Sequence, residues 1–276
     1  MKSKLCWIVA AACALLAAGS LNAVADEFAE KGREILKKNQ HAVVTVQVVI
    51  KATSGGGRSS ENRQEITGTV VDPSGLTVLA LSSCDPAEMY RRLSEDYKVE
   101  VEVSDVKILT EDGSELPAEI VLRDKDLDLA FIRPKSKPAK PMTFVDLGQS
   151  GTAQQLDQVL TLNRLNKAAS RAYAGSAERI AAVIQRPKTF YIPDSNMSST
   201  TLGSPAFLLN GKVVGIFVMR AVSGAGSSAN LRQNLTSILL PAEDILKAAK
   251  QAPEAKGEEE KKESSSTDSS NAPAPN

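Results

Sequence analysis

Few side chains in this sequence can carry chemistry. His41 is the only histidine, and so the only side chain whose ordinary titration lies near neutrality. It stands just ahead of an apolar run, where a surface or strand-end residue would stand. Cys84 is the only cysteine beyond the first 25 residues. A thiolate is a better unaided nucleophile than a hydroxyl, so Cys84 is either a candidate nucleophile or a small inert core residue. Asp124, Asp126 and Asp128 have the opening spacing of a calcium loop. Leu129 stands where that loop needs Gly, and Lys135 where it needs Glu. One His and one Cys fall short of a zinc set. Ser54-Gly55-Gly56-Gly57 lacks the Gly-Lys-Ser/Thr and the helix that a phosphate cradle requires, so it reads as a hairpin loop. There is no dinucleotide fingerprint and no basic-aromatic surface. The sequence gives no reason to expect a cofactor, a metal or a nucleic acid.

The elements that must position these residues are mostly strands. Ala42–Ile50, Ile66–Val71 and Leu76–Leu81 are apolar and β-branched, with a Pro-Ser-Gly turn at 73–75. Asp85-Pro86-Ala87-Glu88 has the form of a helix start, and that helix is expected to end near Tyr97. Short strands follow at Val99–Val103, Val106–Leu109, Ala118–Leu122 and Leu129–Ile132. The stretch 134–141 carries three prolines among lysines and reads as a solvated connector between two halves. Its second half predicts strands at Thr143–Asp146, Val159–Leu162 and Ala181–Ile184. A hairpin follows, Ala206–Leu209 with Val213–Val218, turning at Asn210-Gly211. Leu235–Pro241 and a helix over Ala242–Lys250 close the domain, and a short helix over 26–39 opens it. The pattern is all-β, a sandwich or a pair of barrels.

Both ends differ from this body. Met1–Ala25 has the form of a secretory signal: Lys2 and Lys4, an apolar run from Trp7 to Ala18, then Ala23-Val24-Ala25 before Asp26. The expected product is exported to a periplasmic or extracellular space, by cleavage after Ala25. An uncleaved anchor is the alternative, and a lipoprotein signal at Cys13 lacks the usual aliphatic residue ahead of it. Loss of Lys2 and Lys4 leaves 31 basic against 33 acidic residues, a balance that favours neither nucleic acid nor an acidic lipid surface. Cys6 and Cys13 also leave, so Cys84 has no partner for an internal disulfide. Residues 251–276 are rich in Glu, Lys, Ser and Pro, with almost nothing to bury, and are expected to be a disordered tail with no further module.

Three stretches share a frame. Gly68-Thr69-Val70-Val71 with Gly75-Leu76-Thr77-Val78 is similar to the Gly-Ser/Thr-Gly-Phe-Val…Gly-Leu-Ile-Leu-Thr-Asn of trypsin-like serine proteases of the HtrA/Deg type. Asp124-Lys125-Asp126-Leu127-Asp128-Leu129-Ala130-Phe131-Ile132 resembles that family's Asp-x-x-x-Asp-Leu-Ala-Leu-Leu. Leu202-Gly203-Ser204-Pro205, followed by a strand, a tight turn and Gly215-Ile216, is similar to its nucleophile loop. Ile238-Leu239-Leu240-Pro241 resembles the end of its protease domain. The resemblance covers about residues 40–248. It implies two perpendicular six-stranded β-barrels, about 40–133 and 142–248, with no PDZ domain.

The same frame implies that the chemistry has changed. Ser82 falls at the position of the base, Asp128 at that of the orienting carboxylate, and Leu202 at that of the nucleophile. A hydroxyl cannot serve as the base, and leucine has no reactive atom. Thr200 replaces the glycine of the oxyanion loop, whose other positions fall at Thr201 and Gly203. The resemblance thus implies an inactive homologue that binds a peptide or protein partner, or regulates an active relative. An endopeptidase with a rearranged site, using Ser204 or Cys84, is one alternative, and a structural envelope protein is another. Oligomerisation stays open.

Overall fold

The computed structural model describes residues 27–54, 57–87, 99–194, 201–221 and 235–254. Twelve strands close into two antiparallel barrels of six. The first is built from β1 (Val43–Ser54), β2 (Ser59–Val70), β3 (Thr77–Ala80), β4 (Val99–Leu109), β5 (Glu115–Asp124) and β6 (Leu129–Pro134), in the order β1-β2-β3-β6-β5-β4. The second is built from β7 (Gln158–Arg164), β8 (Tyr173–Ile184), β9 (Phe190–Pro193), β10 (Pro205–Phe207), β11 (Val213–Ala221) and β12 (Leu235–Pro241), in the order β10-β11-β12-β9-β8-β7. Closure leaves no open sheet edge in either barrel.

The strands follow the sequence where it is apolar and outrun it where it is not. β1 and β2 pair from Val43↔Thr69 out to Thr53↔Ser59. The outer half of β2 is polar and exposed, and so resembles a loop in sequence. The two short strands expected at 99–103 and 106–109 are one, β4. Asp105 interrupts it with a φ of 45°, beside a register shift against β1 at Gln47/Val49. The expected strand at Thr143–Asp146 does not form. There the Met142 and Val145 amides donate to Pro73 and Val70 of the first barrel, and, beyond an isolated bridge of Ser150 to Val213, the strands of the second barrel begin at β7. β9 was not expected from the sequence; its signal is the short run Phe190-Tyr191-Ile192.

Three apolar clusters result. One fills the first barrel, around Val46, Leu79, Ile108 and Ile132, and one the second, around Val159, Phe217 and Leu239. The third lies between them and joins Val78, Leu129 and Phe131 to Leu162, Phe207 and Val218. Helix α1, residues 27–39, adds Ile35 to this central cluster, and α3 (Ala242–Ala249) adds Ile245 and Ala248. Across the barrels Arg171 grips Glu65 with both guanidinium arms, at 2.6 and 3.0 Å. Of the helix expected over 85–97, residues 86–87 are helical and the stretch from 88 lies outside the described residues, as do the signal segment and residues 255–276. Defined contacts run beyond 251, as far as Pro253.

β11 and β12 approach most closely at Gly215. A Cβ added there would stand 1.8 Å from the Leu240 carbonyl oxygen, which is backbone and cannot swing away. Gly215→Ala is expected to cost about 1–3 kcal/mol or more, read as a fall in the urea midpoint.

Candidate functional site

The site grows from the end of β3. Ala80 leads into α2, the single turn Leu81–Cys84, whose first amides have no partner within the turn. They are met by Asp128, which comes from the tight turn before β6 and holds a φ of 58°. Its main-chain carbonyl accepts from the Leu81 amide at 2.8 Å. Its Oδ1 accepts from the Ser82 amide at 2.7 Å, and its Oδ2 from the Ser82 hydroxyl at 2.8 Å. The Met219 amide of β11, in the other barrel, donates to the same Oδ2 at 2.7 Å. One half-buried carboxylate therefore caps a helical turn and pins the second barrel to the first.

Asp124 has a separate task. Its Oδ1 accepts from the Asp126 and Leu127 amides, both at 3.0 Å, and so shapes the turn that delivers Asp128.

The Leu202 loop enters the same seam from β10. Gly203 has a φ of 86°, and a Cβ on it would lie 2.2 Å from the Thr67 carbonyl oxygen and 3.7 Å from the Ala80 nitrogen. Only glycine lets this backbone pass between β2 and the start of α2. Thr69 Oγ1 donates to the Gly203 carbonyl at 2.7 Å, and the Gly203 amide donates to the Phe217 carbonyl at 2.8 Å. That amide is thus spent on β11. The Ser204 amide donates to Thr201. The Leu202 side chain joins the central cluster with 7% exposure, alongside Ala80, Leu129 and Phe207. Thr201 is buried, and Thr200 lies outside the described residues.

The fold therefore gathers the three positions read from sequence, Ser82, Asp128 and Leu202, at the joint of the barrels. The alternative nucleophiles are not presented to solvent. Ser204 is fully buried, and its hydroxyl has no hydrogen-bond partner among the described residues. Cys84 is fully buried and donates to the Leu81 carbonyl at 3.3 Å. Burial pushes its thiol up to about 12, against a weaker downward pull from Arg123. His41 stands apart: its Nδ1 is 2.7 Å from Glu111, and its ring meets Tyr173 edge-on. The Met219 amide could not be read from sequence as a partner of Asp128, because main-chain donors leave no mark on residue type.

A family model, the trypsin-like peptidase domain, matches residues 35–216, a span that includes Ser82, Asp128 and Leu202. The chain belongs to the trypsin-like peptidase family. Among solved structures, the apo MamO protease domain from Magnetospirillum magneticum aligns with it at 17% identity, over 76% of this chain and 96% of that one, with a TM-score of 0.48. No curated protein matches the sequence.

Two expectations follow. Ser82→Ala removes one hydrogen bond and should cost about 1 kcal/mol, whereas Asp128→Asn turns an amide toward donors and should cost about 1.5–3 kcal/mol; urea denaturation of both variants gives the comparison. The unfolded Cys84 thiol ionises near 9.0 and the folded one does not, so its contribution to stability is complete below pH 9 and is lost as the pH rises toward about 12. Cys84→Ala should flatten that alkaline decline, and native protein at pH 8 should resist iodoacetamide until unfolded.

Proposed function

We propose that this chain is an exported, non-catalytic member of the trypsin-like peptidase family, acting as a scaffold that binds a peptide or protein partner. The carrying observation is the state of Asp128. In a working triad the carboxylate orients an imidazole. Here the Ser82 hydroxyl and the Met219 amide share one of its oxygens, and the Ser82 amide takes the other. Among the described residues no imidazole stands beside Asp128, and Leu202, which the resemblance puts at the nucleophile position, is buried.

Acyl transfer also needs donors aimed at the developing oxyanion. The Gly203 amide faces Phe217 instead. What remains is a two-barrel framework with its joint intact, and such a framework can hold a ligand without reacting with it. The signal-like pattern of Met1–Ala25 supports export.

Mature protein should leave casein intact and take no label from a fluorophosphonate serine probe or an iodoacetamide cysteine probe. Labelling or turnover that disappears on Ser204→Ala or Cys84→Ala would overturn the reading in favour of a rearranged protease. Export is read separately. N-terminal sequencing of the secreted product should begin at Asp26, and the product should lack tryptophan emission, because Trp7 is the only tryptophan. The binding role predicts a stoichiometric partner recovered with the chain from the exported fraction.

A further inference from the structure

The second barrel carries a cleft that takes no part in the joint. Its volume is about 410 Å³. Its walls are the segment 150–152, the turn between β8 and β9, the start of β11 and the first turn of α3. Val214 lines it, five residues before Met219, so it stands roughly 17 Å along β11 from the amide that meets Asp128. Main-chain bonds fix the first wall: the Gly151 amide donates to the Val213 carbonyl at 2.9 Å, and the Val213 amide to Gln149 at 3.1 Å.

The polar groups lining this cleft are not all spent on one another. Tyr191 is 3% exposed, and a buried hydroxyl needs a partner for its proton as well as for its oxygen. The Ala153 amide serves the oxygen, and among the described residues no acceptor serves the proton. Burial, against the pull of that amide and with a smaller push from the Glu243 carboxylate, holds the hydroxyl above the ordinary tyrosine range, so the proton is there to be donated. Lys188, on the β8–β9 turn, and Glu243, on α3, are both exposed, and among the described residues neither lies in an ion pair. Asp244 and Lys247, by contrast, answer each other at 3.0 Å. α3 opens after Pro241 with no side-chain cap, which leaves its first amides without a partner in the helix.

The cleft thus brings together a cation, a carboxylate and a buried hydroxyl donor beside the apolar surface of Val214 and Pro241. A ligand that meets all of them carries both charges with a carbonyl between. We propose that this cleft binds a short peptide with free termini, its carboxylate against Lys188 and the first amides of α3, its ammonium against Glu243, and an inner carbonyl accepting the Tyr191 proton. The volume holds roughly a dozen waters, which suits a few small residues better than a single amino acid. The site stands apart from Asp128 and does not depend on how the joint is read.

Titration of the isotope-labelled mature chain with trialanine, followed through its amide NMR signals, tests this. The amides of Gly151, Thr152, Glu243 and Asp244 should shift together and saturate, while those of Ser82 and Met219 at the joint stay in place. Blocking either end of the peptide, as N-acetyl-trialanine or as trialanine amide, should weaken binding about tenfold, because one charge-assisted contact is lost. Lys188→Ala should weaken trialanine by a similar factor and leave the affinity of the amide form unchanged. Glu243→Gln should do the same to trialanine and leave the N-acetyl form unchanged. Both residues are exposed, so both variants should keep the circular dichroism of the parent. Free alanine binding as tightly as trialanine would overturn the proposal in favour of an amino-acid site. Equal affinity for the blocked peptides, no shift at millimolar trialanine, or shifts confined to the joint would overturn it outright.

Discussion

The Asp128 carboxylate is the interaction on which the rest of the structure depends. It stands where three segments meet: the turn before β6, the single turn of α2 and the middle of β11. Without the Ser82 and Met219 donors the carboxylate would face the joint of two barrels with an unmet charge, which is costly away from water. Ser82 meets part of this need, because both its amide and its hydroxyl donate to the carboxylate. The aspartate thus has a structural task whatever its part in chemistry. It caps α2 and holds the barrels in register.

The joint is apolar around this polar centre. Leu202 occupies the central cluster, and it packs with side chains from both barrels. Full burial of a leucine is worth about 1.5–3 kcal/mol. A catalytic residue must be left partly exposed and cannot contribute on that scale. In this chain stability and chemistry make opposite demands on the same position, and the side chain present meets the first.

The sequence showed the barrels wherever strands are apolar and bounded by turn residues, as in β1, β3, β6 and the hairpin of β10 and β11. It concealed the polar outer half of β2 and the half-buried first half of β8, whose pairing rests on backbone hydrogen bonds that residue type does not record. Thr143–Asp146 misled because an extended segment resting on one barrel has the composition of a strand without its ladder. Ser82, Asp128 and Leu202 were singled out through the resemblance of three stretches to a family frame, and the fold brings them to one joint. Their bonding was not legible, since half of it comes from amides of Ser82 and Met219. The commitment of the Gly203 amide to Phe217 was hidden for the same reason.

The shared use of Asp128 bears on what substitution at the joint can do. On the reading proposed above, building a triad here would take an imidazole at 82 and a hydroxyl at 202 together. A histidine alone would displace the hydroxyl that satisfies Asp128 and find no nucleophile to serve. A serine alone would put a polar group into the apolar joint and find no base. Either change alone loses packing or bonding at a joint that Asp128 and Leu202 now fill.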